Sequence, residues 1–139
     1  MQLPVTLSED QLQAHFWEWA WNSHPQFRRQ MWAVPNGAIG RIITLKDQVQ
    51  ANKMKATGLL EGVWDLHCFH FGKYHIIETK IGNNQLSVDR IENNKKHFGQ
   101  KEWGELMAKH GAIRHIYRTL EEGQQIYRSI FFPNPAQNT

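Results

Sequence analysis

Asp65, Glu78 and Lys80 are two acids and a base set within an otherwise apolar, β-rich run, "EGVWDLHCFHFGKYHIIETKIG" from Glu61 to Gly82. Strands that bury a face exclude ionised groups unless these are paired or hold a metal. With Gly72 and Lys73 taken as the tip of a hairpin, Phe71 faces Tyr74, Phe69 faces Ile76, His67 faces Glu78 and Asp65 faces Lys80. Side chains alternate along a strand, so an even loop brings Asp65, Glu78 and Lys80 out on one face at the open end of the hairpin. An odd loop would separate Asp65 from the other two.

Two carboxylates that close repel, and one holds a proton unless a cation sits between them. Oxygen ligands of this kind suit Mg²⁺ or Mn²⁺, which take one or two carboxylates, several waters and a substrate phosphate. The chemistry this points to is phosphodiester hydrolysis, with Lys80 stabilising developing negative charge or orienting the attacking water. The competing reading is purely structural: a cross-strand Asp65 to Lys80 ion pair, with Glu78 bonded to His67.

The elements that must position these groups announce themselves by their caps. "TLSE" at Thr6, "TLKD" at Thr44 and "TLEE" at Thr119 each place a hydroxyl where it can accept from the amide three residues on. They predict helices over "LSEDQLQAHFWEWAWNSH", "LKDQVQANKMKAT" and "LEEGQQIYRSIFF". A further helix, "QKEWGELMAKH", stops at Gly111. Strands are expected at "MWAV", "WDLHCFHF", "YHIIETKI" and "AIRHIYR". The sum is a mixed α/β fold, a small central mixed sheet flanked by helices, in one domain over residues 1–132 with a loose tail over 133–139.

Composition narrows the class. A single cysteine, Cys68, excludes an internal disulfide, and no apolar run reaches membrane-spanning length or marks a signal peptide, so a reducing, cytoplasmic setting of bacterial or phage type is expected. "HCFH" invites a zinc reading, but His67 and His70 alternate faces on a strand and there is no second cysteine. Trp17, Trp19 and Trp21 are read as packing residues, with one or two at an interface. A formal charge of +3 permits a polyanionic partner without demanding one.

The ordered set of motifs resembles the VRR-NUC family of the PD-(D/E)XK nuclease superfamily. That pattern opens with an acid and a glutamine on a helix, then a strand ending in a "PNG"-like loop, a "GxpD" strand, an "ExK" strand and a Q-x-x-W helix ending in glycine. Here these are Glu9 and Gln13, "AVPNG" at Ala33 to Gly37, "GVWD" at Gly62 to Asp65, "ETK" at Glu78 to Lys80, and "GQKEWGELMAKHG" at Gly99 to Gly111. The resemblance covers nearly the whole chain.

It implies a metal-dependent DNA endonuclease, with branched or junction DNA as a substrate and a homodimer as the working form; a non-catalytic nucleic-acid-binding module on the same fold is the alternative. Asp65 and Glu78 would be metal ligands with the Thr79 carbonyl, the metal being Mg²⁺ or Mn²⁺, and Lys80 the base or charge stabiliser. Glu9 would reach in from the first helix, or it is the capping-box acid. Gln100 would stand beside the site, with Gln85 the other candidate because an extra segment, "NNQLSVDRIENNKKH", precedes Gln100. Trp64 stands where proline is usual. Asn36 and Gly37 in the loop, Arg41, Lys53 and Lys55 on the second helix, and Lys95 and Lys96 are the candidate phosphate contacts.

Overall fold

A computed structural model of the chain describes residues 6–35 and 44–133. The helices are α1 (Glu9–Ser23), α2 (Leu45–Ala56), α3 (Gln100–Lys109) and α4 (Leu120–Phe131), with a short 3₁₀ turn at Pro25–Phe27. The strands are β1 (Met31–Ala33), β2 (Leu66–His70), β3 (Lys73–Thr79), β4 (Arg90–Glu92), β5 (Lys95–His97) and β6 (Ile113–Tyr117). Four strands form one mixed sheet in the order β1-β2-β3-β6, with β1, β2 and β3 antiparallel and β6 added parallel to β3. Strands β4 and β5 form a separate hairpin. This is the mixed α/β architecture expected, and among the described residues no helix is long and apolar enough to cross a membrane.

Alternation in the sheet separates two layers. Leu66, Cys68, Ile77 and Tyr117 point to one face and bury against Leu12, Phe16 and Ala20 of α1 and Tyr127, Ile130 and Phe131 of α4. The other face carries His67, Ile76 and Glu78 and is covered by α3, whose Trp103 ring lies 5.7 Å from His67. Helices therefore flank both sides. In α1, Trp17 and Trp19 pack at the edge of the core, which agrees with the packing role expected of them, whereas Trp21 is exposed beneath the Arg28 guanidinium.

Two expectations are corrected. The first concerns the cap of α1, which is Ser8 and not Thr6: the Ser8 hydroxyl accepts from the Gln11 amide and the Gln11 side chain accepts from the Ser8 amide. Glu9 is therefore the first helical residue and is not the capping-box acid. The second concerns the β2–β3 hairpin, whose two-residue tip is Phe71-Gly72, with His70 opposite Lys73. Both tip residues have positive φ, 47° and 75°. Turns of this kind favour glycine at the second position, and the Gly72-Lys73 tip would have put lysine there. The register slips by two residues, so every side chain keeps its face but changes its partner.

Candidate active site

The slip matters most at the open end of the hairpin. Leu66 pairs with Ile77, so Asp65, one residue before β2, stands opposite Glu78 and not opposite Lys80. The Asp65 backbone is tied to the extension of β1 through the Val34 amide, which donates to its carbonyl at 2.9 Å. Its carboxylate accepts from the Thr79 amide at 3.2 Å. The chain thus holds Asp65 by main-chain bonds from both neighbouring segments. Thr79 is fixed on the other face of β3, where its hydroxyl donates to the Tyr117 hydroxyl at 2.6 Å.

Glu78 is fully buried, and this is the cost the fold carries at the site. One oxygen, Oε2, accepts from Gln100 Nε2 at 2.7 Å, while Oε1 has no hydrogen-bond partner. Burial pushes the Glu78 carboxyl up to about 10, aided by the facing Asp65 carboxylate and opposed by Lys80. At neutral pH the isolated protein therefore holds Glu78 protonated. Lys80 follows on the same face of β3, its side chain buried and its amide donating to the Tyr117 carbonyl at 3.1 Å.

The structural alternative does not describe this arrangement. No Asp65 to Lys80 ion pair occurs among the described residues. His67 is turned elsewhere: Nε2 donates to the Trp64 carbonyl at 3.0 Å, which leaves Nδ1 to accept from the Tyr74 hydroxyl. Burial holds the His67 imidazole below its usual range, in keeping with a neutral ring in that role.

Gln100, not Gln85, belongs to the site. The Gln85 side chain bonds the Asn83 carbonyl, whereas Gln100 is locked at both ends: its Oε1 accepts from the Ser87 amide at 3.2 Å and its own amide donates to the Ser87 hydroxyl at 3.1 Å. The extra segment ahead of the helix is thus what aims the glutamine. Trp64, the departure from proline, completes the clamp by donating from Nε1 to the Gln100 carbonyl at 2.8 Å. Its indole lies where a Cβ on Gly104 would come within 2.5 Å, so α3 can approach only because that position is glycine. Ser87 and the positioning role of Trp64 were not read from the sequence; the Trp64 substitution itself was the visible signal.

Glu9 lies at the start of α1, where its carboxylate accepts from Asn84 Nδ2 at 3.4 Å, in the turn that follows Lys80. No hydrogen bond or ion pair joins it to Asp65, Glu78 or Lys80 among the described residues. Lys53 and Lys55 are exposed in the last turn of α2, and Lys95 and Lys96 are exposed on β5. Asn36, Gly37 and Arg41 lie outside the described residues.

Among the described residues no group of three His, Cys, Asp or Glu side chains converges. Two facing carboxylates, one with an orphaned buried oxygen, nevertheless supply what Mg²⁺ or Mn²⁺ requires from protein when a backbone carbonyl and waters complete the shell. Comparison with family models, with curated proteins and with solved structures finds no match for this chain.

Proposed function

We propose that the chain is a metal-dependent DNA endonuclease with a PD-(D/E)XK-type site formed by Asp65, Glu78 and Lys80. The observation that carries this reading is the fully buried Glu78 carboxyl, set opposite Asp65 with one oxygen unpartnered. A protein that gained nothing from such a pair would be more stable without it. The order of elements supports the reading: helix α1, strands β1, β2 and β3, then a helix that brings in Gln100, as the VRR-NUC pattern requires.

Each residue has a task. Asp65 and Glu78, with the Thr79 carbonyl, would hold Mg²⁺ or Mn²⁺, which supplies a Lewis acid for a phosphoryl oxygen and for a water nucleophile. Gln100 fixes the rotamer of Glu78 by donating to Oε2, which leaves Oε1 unpartnered for the metal. The Lys80 ammonium, on the same face two residues beyond Glu78, stabilises the negative charge that develops on the phosphate. Lys95 and Lys96 contact backbone phosphates, and Lys53 and Lys55 extend that contact if DNA reaches α2. A reducing cytoplasm and a homodimer acting on branched DNA complete the proposal.

The test is incubation with supercoiled, linear and four-way-junction DNA in Mg²⁺, Mn²⁺ or EDTA. Cleavage in either metal that EDTA abolishes supports the reading. Tight DNA binding with no cleavage under any of these conditions assigns the fold to a binding module instead.

A further inference from the structure

The extra segment ahead of α3 folds as the β4–β5 hairpin, and the surface it presents is unusual for a solvated loop. Asn93 and Asn94, with φ of 51° and 60°, make its two-residue turn. Arg90 pairs with His97, Ile91 with Lys96 and Glu92 with Lys95. His97 faces the body of the protein, donating to Glu61 at 2.9 Å, so alternation turns the Ile91–Lys96 face outward. Ile91 is 77% exposed there and Phe98, just past the strand, is 53% exposed with Lys96 Nζ 5.5 Å above its ring.

The arm is coupled rigidly to the site. Asp89 Oδ1 accepts from the Gly99 amide at 2.7 Å, the Asp89 amide donates to Glu102 at 3.0 Å, and Ser87 makes its two bonds to Gln100, the donor to Glu78. The charges sort by engagement. The Asp89 carboxylate is occupied by Gly99, and Glu92 by Arg90 at 3.3 Å, whereas no acid among the described residues lies within ion-pair distance of Lys95 or Lys96. The outward face thus offers one aliphatic wedge, one aromatic ring and the Lys96 ammonium, while exposed Lys95 projects from the opposite face of the hairpin across from Glu92.

We infer that the β4–β5 hairpin is a nucleic-acid arm that takes an unpaired DNA base against Phe98 and Ile91 while Lys96 holds the phosphate beside that base and Lys95, from the other face of the hairpin, the next one along. This inference rests on the nuclease reading of the Asp65–Glu78–Lys80 site. Apolar side chains that engage nucleic acid do so by stacking on, or wedging between, bases, and a base in an intact stack offers no free face. A protein partner seated on the same apolar residues would instead have to bury Lys96 without a counter-charge.

The experiment measures binding in EDTA, so that cleavage plays no part. The probes are a perfect duplex and the same duplex with a single-stranded flap carrying 2-aminopurine. The wild-type chain is expected to bind the flap roughly tenfold more tightly than the duplex and to change the 2-aminopurine emission, as expected for stacking of a single base. Ile91→Ala combined with Phe98→Ala should reduce that preference to within about twofold and leave duplex affinity unchanged, since the lysines supply the sequence-independent part. Ile91→Glu alone, at a site exposed enough not to disturb the fold, should reduce the preference and melt at the wild-type temperature.

A preference retained by these variants, or an unchanged 2-aminopurine signal at saturation, overturns the arm. So does a wild-type dimer that dissociates on Ile91→Glu, which would assign the face to a second copy of the chain. Cleavage without flap preference defeats the arm and leaves the nuclease standing. Flap preference with a 2-aminopurine response but no cleavage in any metal does the reverse.

Discussion

Gln100 donates to Glu78 across the gap between α3 and β3, 2.7 Å from Nε2 to Oε2, and this one bond decides which oxygen of the buried carboxyl is left for chemistry. Removing the donor frees the rotamer of Glu78. Gln100→Ala is expected to lower the cleavage rate by roughly 10- to 100-fold, the usual cost of losing a partner that orients a metal-ligating carboxylate. DNA affinity should be preserved. A neutral donor also favours the ionised carboxylate, so the pH at which activity rises should move upward in the variant. An unshifted pH–rate profile with an intact rate would show that Gln100 only fills space.

Glu78 links metal binding to protons. Its carboxyl is raised to about 10, mainly by burial, so at pH 7 the metal-free protein carries a proton there that the unfolded chain does not. The sign follows: a raised carboxyl contributes stability that is full below about pH 4.5 and is lost as pH rises toward 10. Glu78→Gln should therefore raise stability at neutral pH and above, by about 1–2 kcal/mol or roughly 3–8 °C in melting temperature. Mn²⁺ should raise the melting temperature of the wild type and not of the variant. Calorimetry in buffers of different ionisation enthalpy should detect about one proton released per Mn²⁺ bound at pH 7. Mn²⁺ stabilisation equal in both proteins would remove Glu78 from the site.

How much of this was legible follows from which signals are local. The same-face placement of Asp65, Glu78 and Lys80 could be read because it depends only on the parity of the hairpin loop. The pairing of Asp65 with Glu78 could not, because it depends on whether Gly72 takes the first or the second turn position, a matter of backbone geometry. Ser8 displaced Thr6 as a cap for a similar reason, since Gln11 serves Ser8 as Glu9 would have served Thr6. The β4–β5 hairpin went unread because "RIE" and "KKH" bury almost nothing, and without a buried face the alternation has no hydrophobic signal. Gln100 was separable from Gln85 by its spacing to Trp103, but Ser87, which aims it, belongs to a contact no sequence pattern encodes.

At the other end of the sheet, on the α1–α4 face, His75 and His115 share a hydrogen bond of 2.9 Å and line a cavity of about 600 Å³ with His70 and Lys73. Burial lowers both imidazoles, His115 to about 4, with Lys73 and His70 lowering His75 further and His75 acting on His115. Depressed histidines contribute stability that is present above the unfolded value near 6.5 and is lost as pH falls toward 4. The melting temperature should fall over that window, and His115→Gln should flatten the fall. A variant with the wild-type pH dependence would place the acid sensitivity in other groups.

Lys80 tells an enzyme from a scaffold. Its ammonium lies on the Glu78 face and lowers the otherwise raised Glu78 carboxyl, yet it makes no ion pair with Asp65 among the described residues. A charge placed this way is of most use when negative charge develops on a phosphate, and an interaction made chiefly in the transition state changes turnover more than ground-state binding. Lys80→Ala should therefore lose on the order of a hundredfold or more in single-turnover cleavage, with DNA affinity changed only slightly. Loss of the cation also removes the larger of the two influences opposing the rise of Glu78, so Mn²⁺ binding at pH 7 should weaken in the same variant. If Lys80 serves only the fold, the variant will melt lower and cut at the wild-type rate, and the Asp65–Glu78 pair would then have to act without it.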